Sequence, residues 1–164
     1  MYRIIFFLIF CAFLMVGCGY HFSASAPITL PRGVSNIFIS EVDNPTLEAW
    51  IDPFLRSRFR EEFTRRAQIN WVDESQAEAH VVLRIIAFTT DTELSGAQDQ
   101  TLRERATVVM ETEFRSQLDN SLIWSSGHIS DSETFESGTS AIAAGERALD
   151  NAIRRTADGL GADY

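Results

Sequence analysis

The chain has no lysine. All 14 of its basic side chains are arginine, set against 23 aspartates and glutamates for a formal charge of -9. That balance argues against a duplex nucleic-acid binder, which needs a positive footprint. It leaves room for a local arginine patch, whose planar forks suit phosphate or carboxylate. Cysteine is almost absent: Cys11 and Cys18 are the only two. No disulfide framework is available, so the fold must stand on packing. Three scattered histidines, His21, His80 and His128, lack ligand-spaced companions, so no metal site is expected. No long hydrophobic run is present either. The stretch from Ile4 to Val16 falls short of the ~20 residues that span a bilayer core.

What that short run does resemble is the hydrophobic region of a signal peptide, with Arg3 before it and Gly17-Cys18-Gly19 after it. Small Gly17 ahead of Cys18 is what a lipoprotein signal peptidase requires. The Cys18 thiolate would take diacylglycerol as a thioether, and cleavage would free its amine for a further acyl chain such as palmitate. Each buried CH₂ contributes about 0.8 kcal/mol, and two or more chains make a stable anchor. An ordinary secretory signal or an uncleaved anchor would leave Cys18 incidental. Gly19, in place of the aspartate of inner-membrane retention signals, points to the outer membrane. The expected organisation is a signal peptide at residues 1–17, a lipidated tether at 18–32, and a single domain at 33–164.

Within that domain, residues 34–42 predict a first strand with Ile37 and Ile39 on one face. Asp43-Asn44-Pro45-Thr46 then turns the chain. Residues 47–67 predict a helix, either capped by Asp52 with Pro53 at its first position or longer and bent there. Leu55, Phe59 and Phe63 form its apolar stripe. Glu61–Arg65 and Glu62–Arg66 are expected as i,i+4 pairs on a solvated face. A short apolar piece at 69–72 has the length of a brief strand. Residues 79–90 predict a strand with Ala79, Val81, Leu83, Ile85 and Ala87 on one face. Val82, Ile86 and Phe88 fall on the other, with His80 and Arg84. A polar hairpin connection is expected at 90–101. The strand at 102–118 carries the cleanest alternation, with Ala106, Val108, Met110, Thr112 and Phe114 on one side. A last strand is expected at 121–130 and a polar link at 131–139. Ser140 then caps a closing helix whose inward stripe includes Ile142, Gly145, Leu149, Ile153, Thr156 and Leu160.

The order β-α-β-β-β-α predicts an α+β fold: a two-layer α/β sandwich with a mixed four-stranded sheet and both helices on one face. The other sheet face, carrying Thr107, Val109, Val82, Ile86 and Phe88, is too apolar for plain solvent and suggests a partner or ligand surface. No nucleophile motif, metal spacing or phosphate loop is present, so neither an enzyme nor a cofactor is expected. Glu111 and Glu113, two apart on a strand and near Arg105 and Arg115, fit a salt network better than an acid/base pair. Ser126-Gly127-His128 lies in a strand pattern without triad spacing.

Several short motifs together carry a family resemblance. Gly17-Cys18-Gly19-Tyr20-His21-Phe22 resembles the mature start of the lipopolysaccharide-assembly lipoproteins of the LptE family. Leu30-Pro31, Asp43-Asn44-Pro45-Thr46, Ala77-Glu78-Ala79, the strand from Arg103 to Phe114, Leu122-Ile123-Trp124 and the alanine-rich closing helix follow in the family's order. The resemblance implies a non-catalytic outer-membrane lipoprotein, held on the periplasmic side by acylated Cys18. It implies a plug inside an LptD-like β-barrel translocon, an assistant in that barrel's assembly, and a binder of lipopolysaccharide. Arg103 and Arg105, beside the long polar connection, are the candidate contacts for lipid A phosphates, with ordinary strand-edge ion pairing as the competing role. A pilotin-like accessory lipoprotein, or an independent amphiphile binder, is the alternative.

Overall fold

The computed structural model describes residues 27–95 and 101–162. Cys18, the signal peptide and the Tyr20-His21-Phe22 triplet lie outside them. In chain order the elements are β1 (Asn36–Asp43), α1 (Ile51–Arg66), β2 (Asn70–Trp71), β3 (Ala79–Ser95), β4 (Thr101–Ser116), β5 (Leu122–Ser125), β6 (Ile129–Glu136) and α2 (Ala141–Ala162).

The α+β sandwich is as expected, and its strand count is not. The sheet has six strands in the order β2-β1-β3-β4-β5, with β6 also paired to β4. β1 runs parallel to β2 and β3, and β4 runs antiparallel to β3, β5 and β6. Two features raise the count above four. Asn70–Trp71 adds a short edge lane beside β1. The expected last strand continues through the supposed polar link to Glu136, interrupted near Gly127, whose φ of 59° is in the left-handed region. The link's alternation hid it, because Ser132, Thr134 and Glu136 occupy one face and Phe135 alone is buried on the other.

Both helices cover one face. Leu55, Phe59 and Phe63 of α1 are fully buried with Leu149 and Ile153 of α2, against Ile37, Val81, Leu83, Val108, Met110 and Phe114 of the sheet. Phe59 and Phe63 stack at 4.1 Å between centroids, and Phe63 lies 6.0 Å from Phe114. Each such side chain contributes roughly 1.5–3 kcal/mol by leaving water. Small residues on α2 let it approach closely: a Cβ on Gly145 would stand 2.8 Å from the Phe88 ring and 3.0 Å from Trp50.

Five local expectations need correction. α1 begins at Ile51 with Trp50 at the cap position, so Asp52 and Pro53 lie inside the first turn. Proline is tolerated there because first-turn amides have no helical partner anyway. Glu62 and Arg66 are buried rather than solvated, and Arg66 Nη1 reaches Asp158 of α2 at 2.8 Å. Glu61 pairs with Arg58 instead of Arg65, which turns to Glu62. Ile142 is 45% exposed, while Ala144 and Ala148 take the inward positions. Finally, the end of the expected tether is packed: Ile28 and Leu30 are buried, and the Ile28 amide donates to the Arg66 carbonyl at 2.9 Å.

Candidate functional site

The candidate surface is the sheet face away from the helices, together with the hairpin that β3 and β4 form beyond the core. Its composition follows from register. Between Ile85 and Ala87 the pairing slips by one residue, so Ala87 stands opposite Val109 and Phe88 opposite Val108. A one-residue bulge swaps the faces of everything after it. Phe88 therefore joins the helix side, 5.7 Å from Trp50, and not the outer face where simple alternation puts it. Ala87 takes its place outside. A second slip near Ser40 in β1 brings Glu41 beside Val82 and Asp43 beside Arg84.

The outer face is accordingly mixed. At its centre the Arg84 guanidinium lies 3.0 Å from Glu111, 3.5 Å from Asp43 and 3.8 Å from Glu113. Arg115 holds Glu113 at 2.9 Å, and the Ser125 hydroxyl donates to Glu111 at 3.0 Å. Both glutamates are thus consumed in a cross-strand salt network, the role their spacing favours over acid/base work. Val82 is buried within this face and Ile86 is 38% exposed beside it. His80 meets the amide oxygens of Gln117 at 3.2 Å and Asn120 at 3.0 Å. Ser126 closes the break between β5 and β6: its amide donates to the Thr112 carbonyl and its hydroxyl accepts from the Thr112 amide, both at 2.9 Å.

The projecting hairpin differs from the polar connection expected at 90–101. β3 continues to Ser95 and β4 resumes at Thr101, which leaves only residues 96–100, outside those described. From Thr89 to Ser95 every residue of β3 is exposed. Arg103 and Arg105 lie on the same side of β4 in this region. Arg105 pairs with Glu93 and stands in register with Asp91. Arg103 is exposed, in register with Leu94 and Glu136, and makes no ion pair among the described residues. The two arginines are brought together, one of them already committed to a carboxylate.

Electrostatic shifts fall away from this surface. The Glu78 carboxylate accepts the Asn36 amide at 3.0 Å and the Ser35 amide at 2.8 Å, which holds it below the usual carboxylate range. The Asp119 carboxyl is held low in the same way, chiefly by Ser121. Among the described residues no cluster of three or more His, Cys, Asp or Glu is placed to hold a metal. No described helix is long and apolar enough to cross a membrane.

A family model described as LptE, lipopolysaccharide-assembly, matches residues 34–162. No curated protein sequence matches the chain. Among solved structures, a minor lipoprotein from Acinetobacter baumannii is similar with a TM-score of 0.53 at 10% identity, covering 79% of this chain and 94% of that one. A hypothetical protein from Chlamydia trachomatis is similar with a TM-score of 0.52 at 12% identity, covering 80% of this chain and 99% of that one. At these identities the likeness is one of fold.

Proposed function

Because the chain belongs to the LptE lipopolysaccharide-assembly family, we propose that it works as a non-catalytic, acylated subunit of the outer-membrane machinery that delivers lipopolysaccharide to the outer leaflet. In this reading Cys18 carries the lipid anchor, and the domain sits on the periplasmic side within an LptD-like β-barrel. The match over residues 34–162 is the observation that carries the reading. The surface chemistry supports it. A half-buried outer face that mixes Val82 and Ile86 with a satisfied ionic network is suited to a wet protein interface, where polar groups are paired and apolar ones exclude water.

Contact with lipopolysaccharide phosphate would fall to Arg103 and, by exchange with Glu93, to Arg105. With a chain charge of -9, such binding depends on local geometry and not on the overall field. The reading is tested by depleting the chain in cells. Folded barrel and surface-exposed lipopolysaccharide should both fall while total lipopolysaccharide persists. Unchanged surface lipopolysaccharide with the chain gone would overturn it. In the purified complex, R103A/R105A should weaken lipopolysaccharide binding, and unaltered binding would remove these two residues from the account.

A further inference from the structure

β1 covers one edge of β3 only as far as Arg84. At Asp43 the chain leaves the sheet through Asn44 and Pro45, and no described strand takes up the lane beyond it. From Ala87 to Thr92, β3 is in continuous register with β4 on one side, and on the other its backbone is unpaired among the described residues. Six residues of strand span about 20 Å, and alternate residues turn both their N–H and C=O groups toward the empty lane. Register slips at Ile85/Ala87 and Thr92/Leu94 bound the run at both ends.

A second feature stands at the base of this lane. An open notch of about 500 Å³ is lined by Pro45 to Glu48 and by Ile86, Ala87 and Phe88. Its rim residue Leu47 is completely exposed. Leu47 is also held in place by its loop. Asn44 Oδ1 accepts from the Thr46 amide at 3.1 Å and from the Thr46 hydroxyl at 2.7 Å. Asn44 Nδ2 donates to the Glu48 carbonyl at 3.2 Å and to Asp52 at 2.8 Å. A leucine carried on a pinned loop loses little backbone freedom on binding, which favours it as an anchor. The lane is acidic farther along: Glu93 is matched by Arg105, while Asp91 makes no ion pair among the described residues and meets only the Thr89 hydroxyl, at 3.4 Å.

We propose that this lane receives an extended segment of a second polypeptide, added edge-on to β3 at Ala87–Thr92, with an apolar side chain seated at the Leu47–Ile86 notch and a cationic one over Asp91. Backbone pairing supplies the affinity in this mode, and the side chains at the notch and at Asp91 supply the selectivity. A second copy of this chain is a poor occupant, since it would bring its own Asp91 and Glu93 to an acidic edge. The inference rests on the reading of the chain as a complex subunit and names the kind of segment its partner presents.

Amide hydrogen exchange tests it directly, on the tagged, acylated chain isolated from detergent-solubilised membranes with its partner and on the same chain alone in that detergent. Peptides covering residues 87–92 should exchange about tenfold or more slowly in the complex. Leu47→Asp, at a fully exposed position, should leave the melting temperature unchanged, reduce the recovered partner severalfold and restore fast exchange. A bound partner with unchanged exchange at 87–92 would overturn the inference while leaving the subunit reading intact. Equal slowing of the lone chain by added lipopolysaccharide would overturn it in favour of a lipid occupant. Recovery of no second polypeptide would overturn the subunit reading and this inference together.

Discussion

Thr112 carries a hydroxyl with no hydrogen-bond partner among the described residues, fully buried on the core side of β4, although Ser126 bonds both its backbone amide and its carbonyl. An unsatisfied buried hydroxyl costs about 1–3 kcal/mol, and removing it without changing shape recovers part of that cost. Thr112→Val should therefore be neutral or stabilising, by up to about 1 kcal/mol, in denaturant titration. Gly145 has the opposite sensitivity. Gly→Ala in a helix gains about 1 kcal/mol of propensity, but here the new methyl meets Phe88 and Trp50 at 3.0 Å or less. Overpacking should win, with a net loss of about 1–3 kcal/mol and a lower melting temperature. Alternation was enough to place Thr112 inside the strand's apolar face. It could not reveal that Ser126 serves as a backbone partner, because Ser-Gly-His reads as strand or turn alike until the break around Gly127 is seen. Arg103 and Arg105 were identifiable as cations beside a polar stretch, but the claim of Glu93 on Arg105 depends on a pairing register that spacing alone does not set.

Between elements, an ion pair centred on buried Arg66 joins the helices. Arg66, 5% exposed, reaches Glu62 at 3.4 Å on its own helix and Asp158 at 2.8 Å on α2. Without Arg66, Asp158 loses this partner while Glu62 keeps Arg65, so Arg66→Ala should cost less than a fully buried pair, about 1–3 kcal/mol. Arg66→Met, which keeps the packing and loses the charge, should fall as well, since both carboxylates remain. A chemical melt of the two variants checks both. Glu78 ties the start of β1 to the entry of β3 through the Ser35 and Asn36 amides. Its carboxyl is depressed in the folded chain, so its contribution is present above the unfolded carboxylate value and is lost as pH falls through the lower folded value. The stability difference between wild type and Glu78→Gln should be widest near neutral pH and close on acidification. A constant difference across that range would contradict the assignment. The helices and β4 were readable from period alone, since each has one buried side. The distal half of β3 was not, because a strand exposed on both faces has no apolar period to show. Phe88 was assigned to the wrong face because a one-residue bulge leaves no mark in composition.

For the molecule as a whole, the layered domain could be anticipated from element order, and membership of the LptE family from the order of short motifs along the chain. The number of lanes in the sheet could not, since β2 is two residues long and β6 lies in a mostly polar alternation; nor could the packing of Ile28 and Leu30, which enters through an isolated bridge to Ala67. That packing bears on anchoring. If Cys18 is acylated, the residues between it and Ile28 set the reach from the lipid to the folded domain. The central claim is that this acidic, disulfide-free domain acts by docking to an envelope barrel while fastened by fatty acids. The most direct measurement is affinity purification of the tagged full-length chain from detergent-solubilised membranes, with mass spectrometry of the chain, its protein partners and its lipids. The account predicts a mature N-terminus at acylated Cys18, recovered with one outer-membrane β-barrel protein and lipopolysaccharide. An unacylated chain recovered alone from the soluble fraction would contradict it.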